Sequence, residues 1–229
     1  MSGLSRFLKS SVGAKIIMAV TGLAMVGFIV IHMAGNLQMF IGPKAMNSYA
    51  YYLKHDIMMS KIVWLTRFGL LGAVILHIWS ASRLTMLNKM ARPVEYAANQ
   101  HHSASSYASR TMFWSGMIVG AFLVYHLLHF TLGTIQSQHH ALQTASGHHD
   151  VYRMVILGFQ QPVVAGFYVL AQVLLAIHLS HGISSFFQSM GWNSHTYKVQ
   201  IKTVGPLISG LICLGFLSVP LSVMLGIIK

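Results

Sequence analysis

Residues 15–39 read KIIMAVTGLAMVGFIVIHMAGNLQM, an apolar run with one charge at its start and a single histidine, His32, in its second half. A helix needs about 20 mostly apolar residues to cross the hydrocarbon core of a bilayer. A helix also satisfies its own backbone hydrogen bonds, which lipid cannot do. This stretch therefore predicts a membrane-spanning helix.

Four more stretches have the same character and lie at residues 62–87, 111–136, 154–188 and 204–228. The stretch at 154–188 is long and holds Pro162 after two glutamines, so we expect a bent entry. Pro220 is expected to kink the last helix, which membrane helices tolerate. Residues 4–9 are amphipathic and are expected on the membrane surface. We predict an all-α fold, a bundle of five transmembrane helices forming a single membrane domain over residues 1–229.

The composition of the chain agrees with this class. Hydrophobic residues make up 55% and charged residues only 8%, whereas about a quarter of an ordinary soluble domain is charged. This excludes a soluble enzyme, a nucleic-acid-binding protein and a disordered tail. The 15 lysines and arginines, against 3 acidic residues, are expected at helix ends near lipid headgroups. The single cysteine, Cys213, excludes a disulfide within the chain and a haem attached through Cys-x-x-Cys-His.

The distribution of lysine and arginine predicts the orientation, because cytoplasmic loops carry the excess. With the N-terminus inside, nine basic residues fall on the cytoplasmic side: Arg6, Lys9, Lys15, Arg83, Lys89, Arg92, Arg110, Lys198 and Lys202. Six fall on the other side: Lys44, Lys54, Lys61, Arg67, Arg153 and Lys229. We therefore predict a cytoplasmic N-terminus. Residues 92–109 are expected to form a polar surface segment, and residues 138–150 an exposed loop with four histidines.

Six of the 14 histidines lie within the predicted spans: His32, His77, His126, His129, His178 and His181. Polar groups in hydrocarbon are costly and usually functional. At the rise of an α-helix, His32 lies roughly 25 Å beyond Lys15, and His126 lies roughly 24 Å beyond Arg110. These two histidines are therefore expected at the same depth, towards the outer side.

A second pair is expected nearer the inner side. His77 lies about 9 Å before Arg83, and His178 lies near the cytoplasmic end of its span. Neutral imidazoles from two helices can bind one haem iron from opposite faces. The sequence thus suits two bis-histidine haems stacked across the bilayer, and small residues on the same helices leave room for them: Gly35, Ala73, Ala81 and Gly182.

Other interpretations of these histidines stay open. A histidine in a membrane helix also serves as an interhelical hydrogen-bond partner. The His-x-x-His pairs His126/His129 and His178/His181 are rival zinc ligands, although zinc usually takes a tighter cluster with a carboxylate or thiolate. No acidic residue lies in any predicted span, which also counts against a proton pump or cation transporter. Within each His-x-x-His pair, either histidine is a candidate iron ligand.

Three groups of short strings carry a resemblance to a known family. They are SVGAK at 11–15, MAVTGL at 18–23 and HMAGNL at 32–37; GP at 42–43, NSYA at 47–50 and RFGLL at 67–71; and HLSHG at 178–182, SFFQ at 185–188 and GWN at 191–193. The chain resembles the cytochrome b membrane-anchor subunit of bacterial succinate dehydrogenase and fumarate reductase. The resemblance implies the five-helix, dihaem version of this anchor, with two haem b groups whose axial ligands are His32, His77, His126 and His178.

The resemblance also implies partners and a location. A flavoprotein subunit and an iron–sulfur subunit are expected on the cytoplasmic face of the bacterial inner membrane. The chain would carry electrons between the iron–sulfur subunit and a membrane quinone, either menaquinone or ubiquinone. It would belong to the enzyme without performing succinate chemistry itself. Ala176 stands where some family members carry a glutamate, so we expect no proton path through a buried carboxylate.

Secondary candidates complete the expected site. Three basic residues are candidates for pairing with haem propionates: Lys15, Arg83 and Arg110. Two histidines are candidates for a place beside the ligands: His129 and His181. Three residues near the outer side are candidates for contact with quinone: Gln38, His55 and Asp56.

Two rival functions remain. One is a cytochrome b anchor of another quinone-linked complex, of the formate dehydrogenase or hydrogenase type. The other is a haem-free protein, either a His-rich metal-ion transporter or a purely structural anchor. Bound haem separates the cytochromes from the haem-free class, and the co-purifying subunits separate the two cytochromes.

Overall fold

A computed structural model describes residues 3–91, 107–192 and 195–229. The described residues hold nine α-helices: α1 Gly3–Lys9, α2 Ser11–Asn36, α3 Pro43–His55, α4 Ile57–Met90, α5 Tyr107–His126, α6 Ser137–His140, α7 Val151–Phe159, α8 Pro162–Ser189 and α9 Lys198–Met224. A 3-10 turn, Leu37–Phe40, extends α2, and a π-helical turn, Leu127–Thr131, extends α5. The fold is all-α.

Five helical segments of the described chain are long and apolar enough to cross a membrane: Ser11–Phe40, Ile57–Met90, Thr111–Thr131, Pro162–Ser189 and Val199–Met224. The prediction of an all-α bundle with five spans is confirmed. Large apolar side chains cover the outside of the bundle, for example Trp64, Leu65 and Phe68 on α4. The chain is therefore a multi-pass membrane protein, because such a surface is stable only against lipid.

The fourth span begins later than predicted and has the expected bent entry. The helix stops at Phe159 and restarts at Pro162, so residues 151–159 form the separate helix α7. Pro162 has no N–H to donate and takes the first turn of α8, where none is needed. The third span ends at Thr131 instead of residue 136. The last span, α9, runs through both Pro206 and Pro220.

Two short helices flank the first span. The amphipathic segment predicted at residues 4–9 forms α1, and Ser10 then caps α2 by accepting a hydrogen bond from the N–H of Gly13 at 2.9 Å. At the other end, α3 was not anticipated from the sequence. It begins at Pro43 after Gly42, whose φ of 120° is open only to glycine.

Four spans form a ring that is open between α4 and α5. α2 packs against α4 and α8, and α5 packs against α8, whereas packing between the described residues of α4 and α5 is sparse. The helices α2 and α5 therefore stand opposite each other, as do α4 and α8. α9 lies outside this ring against α8 and α2. The bundle has an α1 end, where α2 begins, and an α3 end, where α2 finishes.

The hydrophobic core lies at the α3 end, under α3 and α7. Its buried residues are Met39, Met46, Ile156, Phe159, Ala165, Tyr168, Val219 and Val223. Asn47 of α3 holds α7 in place over this core. Its amide donates to the carboxylate of Asp150 at 2.9 Å, and its side-chain oxygen accepts from the N–H of Tyr152 at 3.0 Å. Asp150 also caps α7 by accepting from the N–H of Arg153.

We predict that Asn47→Ala lowers the free energy of unfolding by about 1–3 kcal/mol, because it leaves partly buried groups of α7 without partners. Thermal or denaturant unfolding in detergent measures this change. Asn88→Ala, at an exposed position of α4, is the matched control and should have little effect. Equal stability of the two variants would show that Asn47 does not hold α7.

Candidate functional site

Two pairs of histidines meet inside the ring of helices. The rings of His32 on α2 and His126 on α5 have centroids 5.8 Å apart. The rings of His77 on α4 and His178 on α8 have centroids 6.5 Å apart. Each pair joins two helices that stand opposite each other. These are the two pairs that the depth argument predicted.

The two pairs lie at different levels of the bundle. Thr21 of α2 contacts His77, and His32 follows eleven residues later on the same helix. On α5, Ser115 contacts His178, and His126 again follows eleven residues later. Eleven residues of α-helix span about 16 Å. The His77/His178 pair therefore lies towards the α1 end, and the His32/His126 pair towards the α3 end.

The surroundings of His77 fix which ring nitrogen carries the proton. Its Nδ1 lies 3.2 Å from the backbone carbonyl of Met18, a group that only accepts. It also lies 3.3 Å from the hydroxyl of Thr21, which donates its own proton to the carbonyl of Ile17 at 2.7 Å. Both neighbours accept from Nδ1–H, so the lone pair of the neutral imidazole is on Nε2.

The second imidazole of this pair is held in the same way. The Nδ1 of His178 lies 3.1 Å from the hydroxyl of Ser115, and that hydroxyl donates to the carbonyl of Met112 at 3.2 Å. With its proton on the carbonyl of Met112, Ser115 accepts from Nδ1–H of His178, and the lone pair of this ring is then on Nε2. In this arrangement the two imidazoles of the pair carry their protons on the same nitrogen.

A glycine next to each hydroxyl lies against the imidazole ring. A β-carbon at Gly22 would lie 3.4 Å from Cε1 of His77, and one at Gly116 would lie 3.3 Å from Cε1 of His178. Thr21-Gly22 and Ser115-Gly116 thus form the same cradle on α2 and on α5. These four residues were not predicted as part of the site. The signal was present in the sequence, because a hydroxyl residue, a glycine and a histidine follow one another at the same spacing on both helices.

His126, in the other pair, stands at the start of a hydrogen-bonded chain. Its Nδ1 lies 3.4 Å from the hydroxyl of Tyr168, which lies 3.0 Å from Nδ1 of His129. The Nε2 of His129 lies 3.0 Å from the side-chain oxygen of Gln136 and so carries the proton. Tyr168 therefore donates to His129 and accepts from His126.

This series of hydrogen bonds continues to the surface at the α3 end. The oxygen of Gln136 also accepts from Nδ1 of His139 at 3.0 Å, and its amide donates to Gln161 at 2.7 Å. His129 is buried, and both of its nitrogens are engaged. The structure thus places His129 behind Tyr168 and not in a facing pair. His181 is half-buried and makes no hydrogen bond or ring contact with the described residues.

The donor set fits a haem iron at each pair. Two imidazoles bound to opposite faces of one iron, each at about 2 Å, have ring centroids roughly 6 Å apart. The observed values of 5.8 and 6.5 Å lie close to that separation. No described residue hydrogen-bonds the Nε2 atoms of His77, His126 and His178. Their lone pairs are therefore available to a metal.

A zinc centre fits less well. Among the described residues, no group of three or more His, Cys, Asp or Glu side chains is arranged to hold a metal ion. In His126/His129, the second histidine uses both nitrogens elsewhere. His178/His181 is not completed to a metal-binding group of three among the described side chains. The bis-imidazole pairs are thus the better-formed sites.

The basic residues proposed for propionate contact lie in different settings. Lys15 is exposed near the start of α2. The guanidinium of Arg83 lies over the ring of Trp79, 5.7 Å from its centroid. Arg110 lies outside the part of the chain whose side chains the structure describes. The polar segment at residues 92–109 also falls largely outside the described residues.

The three residues proposed for quinone contact lie at the α3 end and have structural roles there. Asp56 caps α4, accepting hydrogen bonds from the N–H groups of Met58 and Met59. The ring of His55 stacks on Tyr51 at 4.1 Å. Gln38 lies half-buried in the 3-10 turn. Their contact with quinone stays a prediction.

Two expectations from the sequence need correction. Gly35 does not leave space for a macrocycle, because the ring of Tyr49 packs against it, within 3.0 Å of where a β-carbon would be. The loop at residues 138–150 is only partly exposed, since His140 and His149 are half-buried. The sequence shows neither that Tyr49 of α3 packs against Gly35 nor how the loop at residues 138–150 folds.

Comparison with known proteins gives no relative: no family model, no curated protein and no solved structure matches this chain.

We predict that Ser115→Ala lowers the free energy of unfolding by about 1–3 kcal/mol, because Nδ1–H of His178 loses its acceptor. Thr21→Val should cost less than half as much, since the carbonyl of Met18 still accepts from His77. Thr85→Val is the control, because among the described residues the Thr85 hydroxyl bonds to its own helix, at Ala81. Unfolding in detergent measures all three. A Ser115 variant as stable as the Thr85 variant would contradict the assigned bond.

Proposed function

We propose that this chain is a dihaem cytochrome b that anchors a succinate:quinone oxidoreductase in the bacterial inner membrane. The observation that carries the proposal is the pair of neighbouring imidazoles at each of two levels. In His77, His126 and His178, Nδ1–H is bonded to protein and Nε2 is left for a metal. The strings at residues 11–37 and 178–193 support the choice of this complex over another quinone-linked one.

The residues have distinct roles in this proposal. His77 and His178 would hold one haem, and His32 and His126 the other. A bound haem iron takes up and releases one electron at a time. Thr21 and Ser115 hold the first pair of imidazoles in one tautomer and orientation, which also raises their basicity towards iron. Tyr168 does the same for His126.

The apolar surface indicates which functions fall to partner subunits. The sequence contains no glycine-rich nucleotide motif, and the described residues form no water-facing domain for a flavin. The oxidation of succinate is therefore assigned to a flavoprotein subunit, with an iron–sulfur subunit between it and the α1 end. Quinone exchange is assigned to the α3 end, near His32 and His126. The cytoplasmic location of the α1 end follows from the distribution of lysine and arginine.

We predict that the purified wild-type chain holds two b-type haems and that His77→Ala removes one of them. The double variant His77→Ala/His178→Ala should also lose one haem, because both residues bind the same iron. The double variant His32→Ala/His77→Ala should lose both. A pyridine haemochrome assay gives the number of haems per chain, and a reduced-minus-oxidised spectrum identifies their type.

His181→Ala is the control for the haem count, since His181 lies in the same helix as His178 and outside both pairs. It should retain two haems. Loss of both haems from His77→Ala/His178→Ala would contradict the pairing. A well-folded wild-type preparation without haem, from haem-replete cells, would reject the cytochrome and favour the haem-free metal transporter.

We predict that the tagged chain, extracted from its native membrane in mild detergent, carries a flavoprotein and an iron–sulfur protein with it. The extract should reduce a quinone analogue when succinate is added, and the reaction should fail with His77→Ala. Formate- or hydrogen-dependent reduction without succinate activity would assign the cytochrome to another complex. This test is independent of the haem count.

A further inference from the structure

The loop between α5 and α7 has an ordered backbone at the α3 end. After α6, residues 141–150 form a small hairpin in which Gln143 pairs with His149. The N–H of Asp150 donates to the carbonyl of Leu142 at 2.9 Å, and the N–H of Thr144 donates to that of His148 at 2.7 Å. His149 therefore has a fixed position next to α6.

Two imidazoles meet where the hairpin touches α6. The rings of His140, the last residue of α6, and His149 have centroids 4.7 Å apart with planes at 46°. The side chain of His140 packs onto Gly133, which has a φ of 66°, and a β-carbon there would collide with it. Both rings are thus held by the fold, and both are half-buried, so an ion can reach them.

The separation of these rings differs from that of the pairs inside the bundle. Two imidazoles on adjacent positions of a tetrahedral or octahedral ion, each bound at about 2 Å, have centroids roughly 4.5–5 Å apart. The ring centroids of two imidazoles on opposite sides of one metal are more than 1 Å further apart than those of adjacent imidazoles. The separation of 6.5 Å between His77 and His178 is of this larger kind. The distance between His140 and His149 matches adjacent positions on a small ion.

We propose that His140 and His149 form a binding site for Cu²⁺. Imidazole suits this ion, and Cu²⁺ leads the series of divalent affinities. Two protein ligands leave the remaining positions to water, so the site is open and exchangeable. The site is separate from the histidine pairs of the bundle and does not depend on the function proposed above.

The charges around the site are mixed. Burial lowers the pKa of His149, and the nearby His140 and Lys54 lower it further. A hydrogen bond to the backbone of Leu142 and the carboxylate of Asp150 oppose the shift. The imidazole of His149 is therefore neutral at pH 7, which is the form that binds a metal.

A second pair of histidines on this surface serves as a natural control. His55 and His148 have ring centroids 6.3 Å apart, and both pack against Tyr51, at 4.1 and 4.2 Å. Their separation exceeds that of adjacent ligands, and their faces are covered by the tyrosine. His148 belongs to the same hairpin as His149, so a variant at His148 changes the hairpin without touching the proposed ligands.

We predict that the metal-free, detergent-purified protein binds one Cu²⁺ with an electron paramagnetic resonance signal split by two nitrogens. The variants His140→Gln and His149→Gln should each weaken binding at least tenfold, since even the loss of a ligand's hydrogen-bond partner costs about 10–100-fold. The double variant should lose the two-nitrogen signal.

His148→Gln is the matched control and should bind Cu²⁺ like the wild type. Circular dichroism and gel filtration of each variant show that the fold is kept. Unchanged Cu²⁺ affinity in the double variant would overturn the site. Equal loss of affinity with His148→Gln would overturn it too, because binding would then belong to the histidine-rich loop in general.

Discussion

An imidazole inside a membrane protein needs a partner for each ring nitrogen, because lipid supplies none. At the α1 end, Thr21 and Ser115 meet half of that need. Each hydroxyl gives its own proton to its helix and accepts the proton of a histidine on a neighbouring helix. The other half, the lone pairs on Nε2, remains. In the proposed cytochrome, an iron held by each pair of imidazoles would satisfy two of these lone pairs at once.

The spans and the depth of the histidines could be predicted from the sequence because both depend on length alone. An apolar run long enough to cross the bilayer gives the helix, and a constant rise per residue gives the level of each side chain. His32 and His126 were matched in this way before any contact was known. The spacing of residues does not show whether these histidines bind a metal.

The partners of the histidines could not be predicted because they depend on how each helix is rotated about its axis. Hydropathy does not define that rotation when a helix is apolar on all sides. Tyr168 is an example, since it lies between His126 and His129 only because α8 turns that face towards α5. The short helix α3 was not predicted, and α7 was predicted only as the bent entry of the fourth span, for another reason. Neither is long enough for a span, and Asn47 and Asp150 join them across more than a hundred residues.

The helices α2 and α5 carry the same features in the same order. On each helix, a hydroxyl residue and the glycine after it contact a histidine of the pair at the α1 end. Eleven residues after the hydroxyl residue, the same helix carries a histidine of the pair at the α3 end. α4 and α8 each supply one histidine to the facing pairs. A shift of α2 or α5 along its axis would therefore disturb both pairs together, whereas a shift of α4 would disturb one. The two levels are thus coupled through α2 and α5, and their spacing of about 16 Å is set by these helices.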